Sequence, residues 1–211
     1  MEYSSLILGV LFILVCFNVG ESVTKKLLFK KIYLLIIILA MFICSFIAPI
    51  SISDWQISIS GFIIPFFISV YYLFKVGSLY SYLKVGVAIL LVTTLTLIYN
   101  IISFESFEYA YFQPYIFLAI VLGITAFFIA KTATNTFVAL FLGYTLASVI
   151  HYLTKGIENY QMINLGGEQM LAMLVTSFAS SLFGYYISRK IKQIRRRRAK
   201  NKDEDSLQEQ T

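Results

Sequence analysis

The stretch Gly166–Arg198, GGEQMLAMLVTSFASSLFGYYISRKIKQIRRRR, decides the architecture. Its apolar part, Gln169–Ser188, is about twenty residues, enough to cross a hydrocarbon core roughly 30 Å thick. It runs directly into Arg189, Lys190, Lys192, Arg195, Arg196, Arg197 and Arg198. So dense a basic cluster stays on the cytoplasmic side of a membrane and thereby orients everything before it.

The bulk composition agrees. The chain has 211 residues, 59% hydrophobic and 13% charged, with a mean hydropathy of +0.80. Soluble domains carry about 25% charged residues, so this chain could not clothe a water-facing surface and the bilayer is its expected solvent. The net charge of +6 is sorted by position and belongs to topology. No basic, aromatic-interleaved soluble segment exists to hold a nucleic acid, and no such partner is expected.

Seven continuously apolar runs can be read: 3–20, 32–50, 57–74, 85–103, 112–130, 134–153 and 169–188. Each is near the length a helix needs to span, and none alternates with the period of two of a barrel strand. The fold class expected is an all-α bundle of seven transmembrane helices over residues 1–190, with a cytoplasmic tail over 191–211. The connections set the direction. Lys25, Lys26, Lys30 and Lys31 follow the first run, Lys75 and Lys84 bracket the third connection, and Lys131 lies in the fifth. Together with the tail, these account for every Lys and Arg except Lys155. Glu2, Asp54, Glu105, Glu108, Glu158 and Glu168 fall on the other side. The positive-inside rule then puts the amino terminus outside, the carboxyl terminus in the cytoplasm and the protein in a bacterial cytoplasmic membrane. Without basic residues before it, the first run reads as an uncleaved anchor.

Several residues carry local expectations. Cys16 and Cys44 stand about 12 Å apart along the membrane normal at 1.5 Å per residue, too far for a disulfide, and read as small hydrophobes. Asp54-Trp55 suits a short outer turn with Trp at the headgroups. Pro65 removes a backbone hydrogen bond inside the third run and crowds the Gly61 carbonyl, so a kink is expected there. Thr93, Thr94 and Thr96 are expected to bond back to their own helix, and Asn100 to tie helices together. The outer segment 104–114 mixes acids with aromatics and ends in Pro114, fitting an interfacial belt and a first helical turn. The short connection Lys131–Asn135 makes runs five and six an adjacent hairpin.

Runs six and seven carry the pattern closest to a site. Ala139, Gly143 and Ala147 recur every four residues, and the next step is His151, the only histidine. Ala172, Thr176, Ser180 and Gly184 form a second such row, one step after Glu168. Small residues at this spacing let membrane helices approach closely. The two runs point in opposite directions, so His151 and Glu168 are expected at similar depth, as a proton-sensitive pair at the outer end of a tight six–seven contact. The alternative is a wetted interfacial His and an ordinary dipole-favoured acid. The connection Thr154–Gly167 is long enough to fold over this region.

The basic tail reads as a topology anchor with snorkelling side chains, and anionic lipid is its other candidate partner. Asp203–Thr211 is expected to be disordered. The sequence has one His and two separated Cys, no His-Glu-x-x-His, no Gly-x-Ser-x-Gly and no Gly-x-x-x-x-Gly-Lys-Ser/Thr, and no acid at the middle of a run. That inventory argues against a metal centre, a cofactor site and an enzyme.

The length, the basic first connection (Lys25, Lys26, Lys30, Lys31), His151 closing the sixth run and the small-residue-rich last run after Gly167-Glu168 together resemble the YphA-like group of small multi-pass proteins of spore-forming Gram-positive bacteria. The polyarginine tail departs from that group. The group has no assigned activity, so the resemblance implies location and shape and transfers no site. Two functions are expected from different classes. One is movement or sensing of a small solute or ion near the outer ends of runs six and seven. The other is a non-catalytic membrane subunit that assembles with membrane-protein partners, or with copies of itself, through its small-residue rows. A polar cavity reaching the midplane would mark the first, and a bundle filled by side chains with an exposed small-residue groove the second; the scarcity of deep polar residues in the sequence leans towards the second.

Overall fold

The computed structural model describes residues 3–16, 31–75, 78–102, 114–156 and 163–208. Lys25, Lys26 and Lys30 of the first basic connection, the acids Glu2, Glu105, Glu108 and Glu158, and residues 209–211 lie outside them. So do the side chains of Cys16, Pro114 and the cationic residues of the tail.

The chain is mostly helical (84%), with seven α-helices among the described residues. These are α1 Tyr3–Cys16, α2 Lys31–Cys44, α3 Ile64–Lys75, α4 Leu79–Ile102, α5 Pro114–Ala130, α6 Ala133–His151 and α7 Glu168–Gln208. Three of them contain stretches long and apolar enough to cross a membrane: Leu79–Asn100, Ala133–Thr154 (α6 with the turn that follows it) and Glu168–Ser188.

α6 forms the centre. Its residues Asn135–Phe141 are buried without a break, so it is wrapped on all sides and not laid along a surface. Its start is fixed locally. Lys131, at φ 61°, closes α5 by donating its N–H to the Phe127 carbonyl at 2.8 Å. The Thr132 hydroxyl then accepts the Asn135 N–H at 3.3 Å, an N-cap. Only two residues separate the helices, so α5 and α6 fold back on one another. The main core joins Tyr72, Val92, Leu122, Phe137, Phe141 and Leu174 from α3 to α7. A second core sets Leu8, Ile38 and Met41 against Leu171 and Val175. α7 belongs to both and ties α1 and α2 to the rest.

The all-α expectation needs a correction at one end of the bundle. Ile50–Ile52 (β1) and Trp55–Ile57 (β2) form an antiparallel hairpin, and Ile163–Leu165 (β3) joins β2 in parallel. The Asp54 turn is present, with Ser53 at φ 53°, but it joins strands. α2 ends at Cys44, so Ile50, read as the end of run two, is in β1, and Ile57, read as the start of run three, is in β2. The sheet is clamped at both ends, by Ile163 N–H to the Asp54 carbonyl (2.8 Å) and Ser58 N–H to the Leu165 carbonyl (2.9 Å).

Pro65 stands at a change of helix type. A π turn, Ile59–Ile63, precedes α3, and Ile64 N–H reaches back to the Ile59 carbonyl. Pro65 is then in the first turn of α3, where its missing N–H leaves no α-helical bond broken.

α7 continues through the basic tail to Gln208, into the segment where the sequence predicts disorder. No Gly or Pro interrupts residues 185–208, and extending an existing helix through Arg, Lys, Gln, Ala and Leu needs no new nucleus.

Candidate functional site

The small-residue rows are used, but not with the expected partners. α6 and α7 do pack together, yet the closest approaches lie elsewhere. A Cβ on Gly143 would come within 2.6 Å of Val92 Cγ1 and 3.3 Å of the Ile89 carbonyl, both on α4. Thr93 donates its hydroxyl to the Gly143 carbonyl at 3.2 Å, between helices and not within its own. On α7, Ser180 donates to the Ile120 carbonyl of α5 at 3.2 Å. A Cβ on Gly123 would run into the Ser177 carbonyl and the Ser180 hydroxyl, and one on Gly184 would touch Phe127 at 3.4 Å. So the row of α6 seats α4, and the row of α7 seats α5. Ala139, Ala147 and Ala172 are fully buried within the chain, and the Thr176 hydroxyl is buried without a partner.

These two close pairs leave a gap where α4, α6 and the start of α7 meet near the sheet. It is a cavity of about 170 Å³ lined by Thr96 and Asn100, Tyr144 and Ser148, Asn164, and Gly167 to Met170 with Met173. Each wall follows from local structure. Thr96 and Asn100 are one turn apart on α4, as are Tyr144 and Ser148 on α6, so each pair shares a face. β3 carries Asn164 outward between the inward Ile163 and Leu165, as strand alternation requires.

The start of α7 is held by glycine. Gly166 has φ +75°, and its backbone packs so tightly on Gly61 that a Cβ on Gly61 would strike the Gly166 carbonyl. A Cβ on Gly167 would come within 2.6 Å of Asn164 Oδ1. The π turn, β3 and α7 are thus fastened together beside the cavity, and Asn164 of β3 lines it.

The floor is polar and incompletely bonded. Thr96 is 5% exposed and Tyr144 2% exposed. The Thr96 hydroxyl has no hydrogen-bond partner. The Tyr144 hydroxyl faces Ser177 but forms no well-directed bond, and Ser177 gives its own proton to the Met173 and Leu174 carbonyls. Both hydroxyls are sealed from the cavity, so each is an unpaired polar group of the packed core beside it, of the kind native structures rarely keep.

Glu168 lines this cavity. His151 does not. It lies one turn beyond Ser148, half-buried, with Nδ1 buried and unpartnered. No hydrogen bond or ion pair joins the two. Asn100, expected as an interhelical tie, lines the cavity as well. Sequence reasoning missed Thr96, Tyr144, Ser148, Asn164 and Gln169 as a group. The signal available was a pair of polar residues four apart at the same end of run four and of run six. Cys44 is free, and no cluster of three metal-ligating side chains occurs among the described residues.

Compared with protein-family models, with curated proteins and with solved structures, the chain matches none.

Proposed function

We propose that this chain is a seven-span protein of a bacterial cytoplasmic membrane, amino terminus outside, that binds a small polar solute or ion in the cavity near the outer ends of α6 and α7, for sensing or for transport. The observation that carries the reading is the cavity that gathers Asn100, Ser148, Asn164, Glu168 and Gln169 between α4, α6 and the start of α7.

The surface supports the bilayer placement. Large apolar side chains such as Ile13, Ile36, Phe67, Leu90, Phe117 and Phe183 are exposed along successive helices, which water would penalise and lipid does not. At the end opposite the sheet, the Lys75 ammonium lies 4.7 Å from the centre of the Tyr71 ring and that of Lys84 3.8 Å from the Tyr80 ring. Lysine with aromatic rings at helix ends suits a cytoplasmic headgroup layer. Asp54, Trp55 and Glu168 lie at the sheet end. The likeness to the YphA-like group fits this location and shape and adds no activity.

The reading assigns binding and no catalysis. Below the cavity the bundle is filled by Val92, Val138, Leu140 and Phe141, which suits a site reached from one side. The rival, a subunit assembled through small-residue grooves, loses its main support because those rows are consumed inside the chain.

Purified protein in lipid nanodiscs, screened with small polar solutes, is expected to show solute-dependent rises in unfolding temperature that disappear in the double variant Asn100→Leu/Ser148→Leu, which fills the cavity. A cysteine at Ser148 that reacts with no small thiol reagent would remove the site.

A further inference from the structure

We propose that the extension of α7 beyond Ser188 is a seat for anionic lipid headgroups of the cytoplasmic leaflet. This uses the bilayer placement above and is independent of the solute site.

The extension and the span are one helix. α7 runs from Glu168 to Gln208, and its membrane-length stretch ends at Ser188. Of the next ten residues seven are cations: Arg189, Lys190, Lys192 and Arg195 to Arg198. The sequence holds no acid between Glu168 and Asp203. Asp203 comes five residues after Arg198, outside the three- and four-residue steps at which side chains of one helix pair. The helix itself therefore supplies no counter-charge to the four arginines.

A second observation is apolar. Phe183, Ile187, Ile191 and Ile194 are all exposed, and their steps of four, four and three residues put them on one face. Phe183 and Ile187 belong to the spanning stretch, whereas Ile191 and Ile194 stand in sequence among the cations. At 1.5 Å per residue, Ile191 is about 4.5 Å and Ile194 about 9 Å past Ser188. A headgroup layer is roughly 5–8 Å deep on each side, so the stripe ends near its outer edge. Arg198, about 15 Å past Ser188, is then about one Debye length from that edge.

Charge and apolarity together choose the occupant. So many cations call for an anionic surface and exclude a second copy laid alongside with the same charges. A soluble acidic peptide or an RNA would match the charge but leave the isoleucines in water. A leaflet containing anionic lipid meets both, since the same bilayer would cover Phe183 and Ile187. A pure topology anchor needs its charges only during insertion. A lipid seat keeps a headgroup preference in the folded protein.

The test measures that preference. The purified full-length chain in detergent is offered equimolar phosphatidylglycerol and phosphatidylcholine with the same acyl chains, and retained lipid is counted by native mass spectrometry. Phosphatidylglycerol is expected to be retained over phosphatidylcholine by about fivefold or more. Replacing Arg195 to Arg198 with glutamine is expected to bring the two within about twofold. Lys75→Gln/Lys84→Gln, at the same end of the bundle, keeps the preference. A second measurement needs no loss of charge: bimane on Ile194→Cys, in the Cys16→Ala/Cys44→Ala chain, is expected to emit further to the blue in nanodiscs of phosphatidylglycerol than in those of phosphatidylcholine. Equal retention by the unaltered chain, a preference that survives loss of the arginines or vanishes with the two lysines, or equal bimane emission overturns the lipid seat and leaves the bilayer placement standing. Indifference to lipid charge with retention of a poly-glutamate peptide or an RNA oligomer overturns it too, and gives the cluster to a soluble polyanion. A chain that stays folded and soluble without detergent or lipid removes the bilayer placement itself.

Discussion

Ser69 and Thr96 both bury hydroxyls that bond to nothing, and neither hydroxyl has surface open to solvent or to the cavity. Ser69 lies on α3, away from the cavity, whereas Thr96 lines it. An unsatisfied buried hydroxyl costs about 1–3 kcal/mol. Ser69→Ala is therefore expected to stabilise the protein by about 1 kcal/mol, measured by unfolding in detergent. Solute binding should be unchanged. Thr96→Val is expected to give a similar gain, again about 1 kcal/mol, and to leave solute-dependent stabilisation in place, because its hydroxyl has no surface open to the cavity. Loss of stability in the empty Thr96→Val protein would mean that the hydroxyl already has a partner. Residue types alone could not reveal either position. Thr93, Thr94 and Thr96 look alike in sequence, yet one bridges helices through the Gly143 carbonyl, one is exposed, and one is buried beside the cavity with its hydroxyl unpaired. What sorts them is rotation about the helix axis, which is visible only once the neighbours of α4 are known.

Between elements, the glycines divide in the same way. Gly86, inside α4, has nothing within 4 Å of an added Cβ, so Gly86→Ala keeps the packing and is expected to gain about 0.5–1 kcal/mol from helix propensity. Gly123 faces the Ser177 backbone, which cannot yield as a side-chain tip can. Gly123→Ala must part α5 from α7 and is expected to cost about 1–3 kcal/mol. Gly143 is intermediate, because its nearest neighbour is a Val92 methyl group. Unfolding of the three variants in one detergent checks the order; a Gly123→Ala protein as stable as Gly86→Ala would contradict the α5–α7 contact. The small-residue rows were legible in sequence, because i+4 spacing on a helix is a local property. Their partners were not, because the loops allow several neighbour orders. The sheet had a local signal that the overall hydrophobicity masked. Ile50, Ile52, Ile57 and Ile59 are separated by Ser or Gln and by a Ser53-Asp54 turn, a β-branched alternation that reads as a hairpin. Counting Ile50 and Ile57 into the neighbouring apolar runs hid it. β3 carried less still, since a three-residue strand paired in parallel depends on contacts more than a hundred positions away.

For the molecule as a whole, the question is how the charges sort across the bundle. Asp54 lies in the turn between β1 and β2, and Glu168 opens α7 beside the same sheet, while Lys75, Lys84 and Lys131 gather where α3 ends, α4 begins and α5 turns into α6. In the orientation proposed above, which follows basic residues near helix ends, the sheet and the cavity would face outward and the lysine end the cytoplasm. Single cysteines in a Cys16→Ala/Cys44→Ala background make this measurable, because Ser51 on β1 and Ser78 before α4 are both exposed. With a membrane-impermeant maleimide, Ser51→Cys is expected to label in intact cells and Ser78→Cys only after lysis. Labelling of both from the same side would contradict the crossing by α3. Reversed labelling would put the cavity mouth in the cytoplasm, and its solute would then be drawn from the cell interior. The arginine-rich end of α7 makes the reversed state costly, since translocating it would carry Arg195–Arg198 across the hydrocarbon core against about 2.5–3.5 kcal/mol per charged residue at the centre. Replacing those four arginines with glutamine should therefore leave Ser78→Cys protected in most molecules, because Lys75, Lys84 and Lys131 still vote the same way, and expose it in a minority.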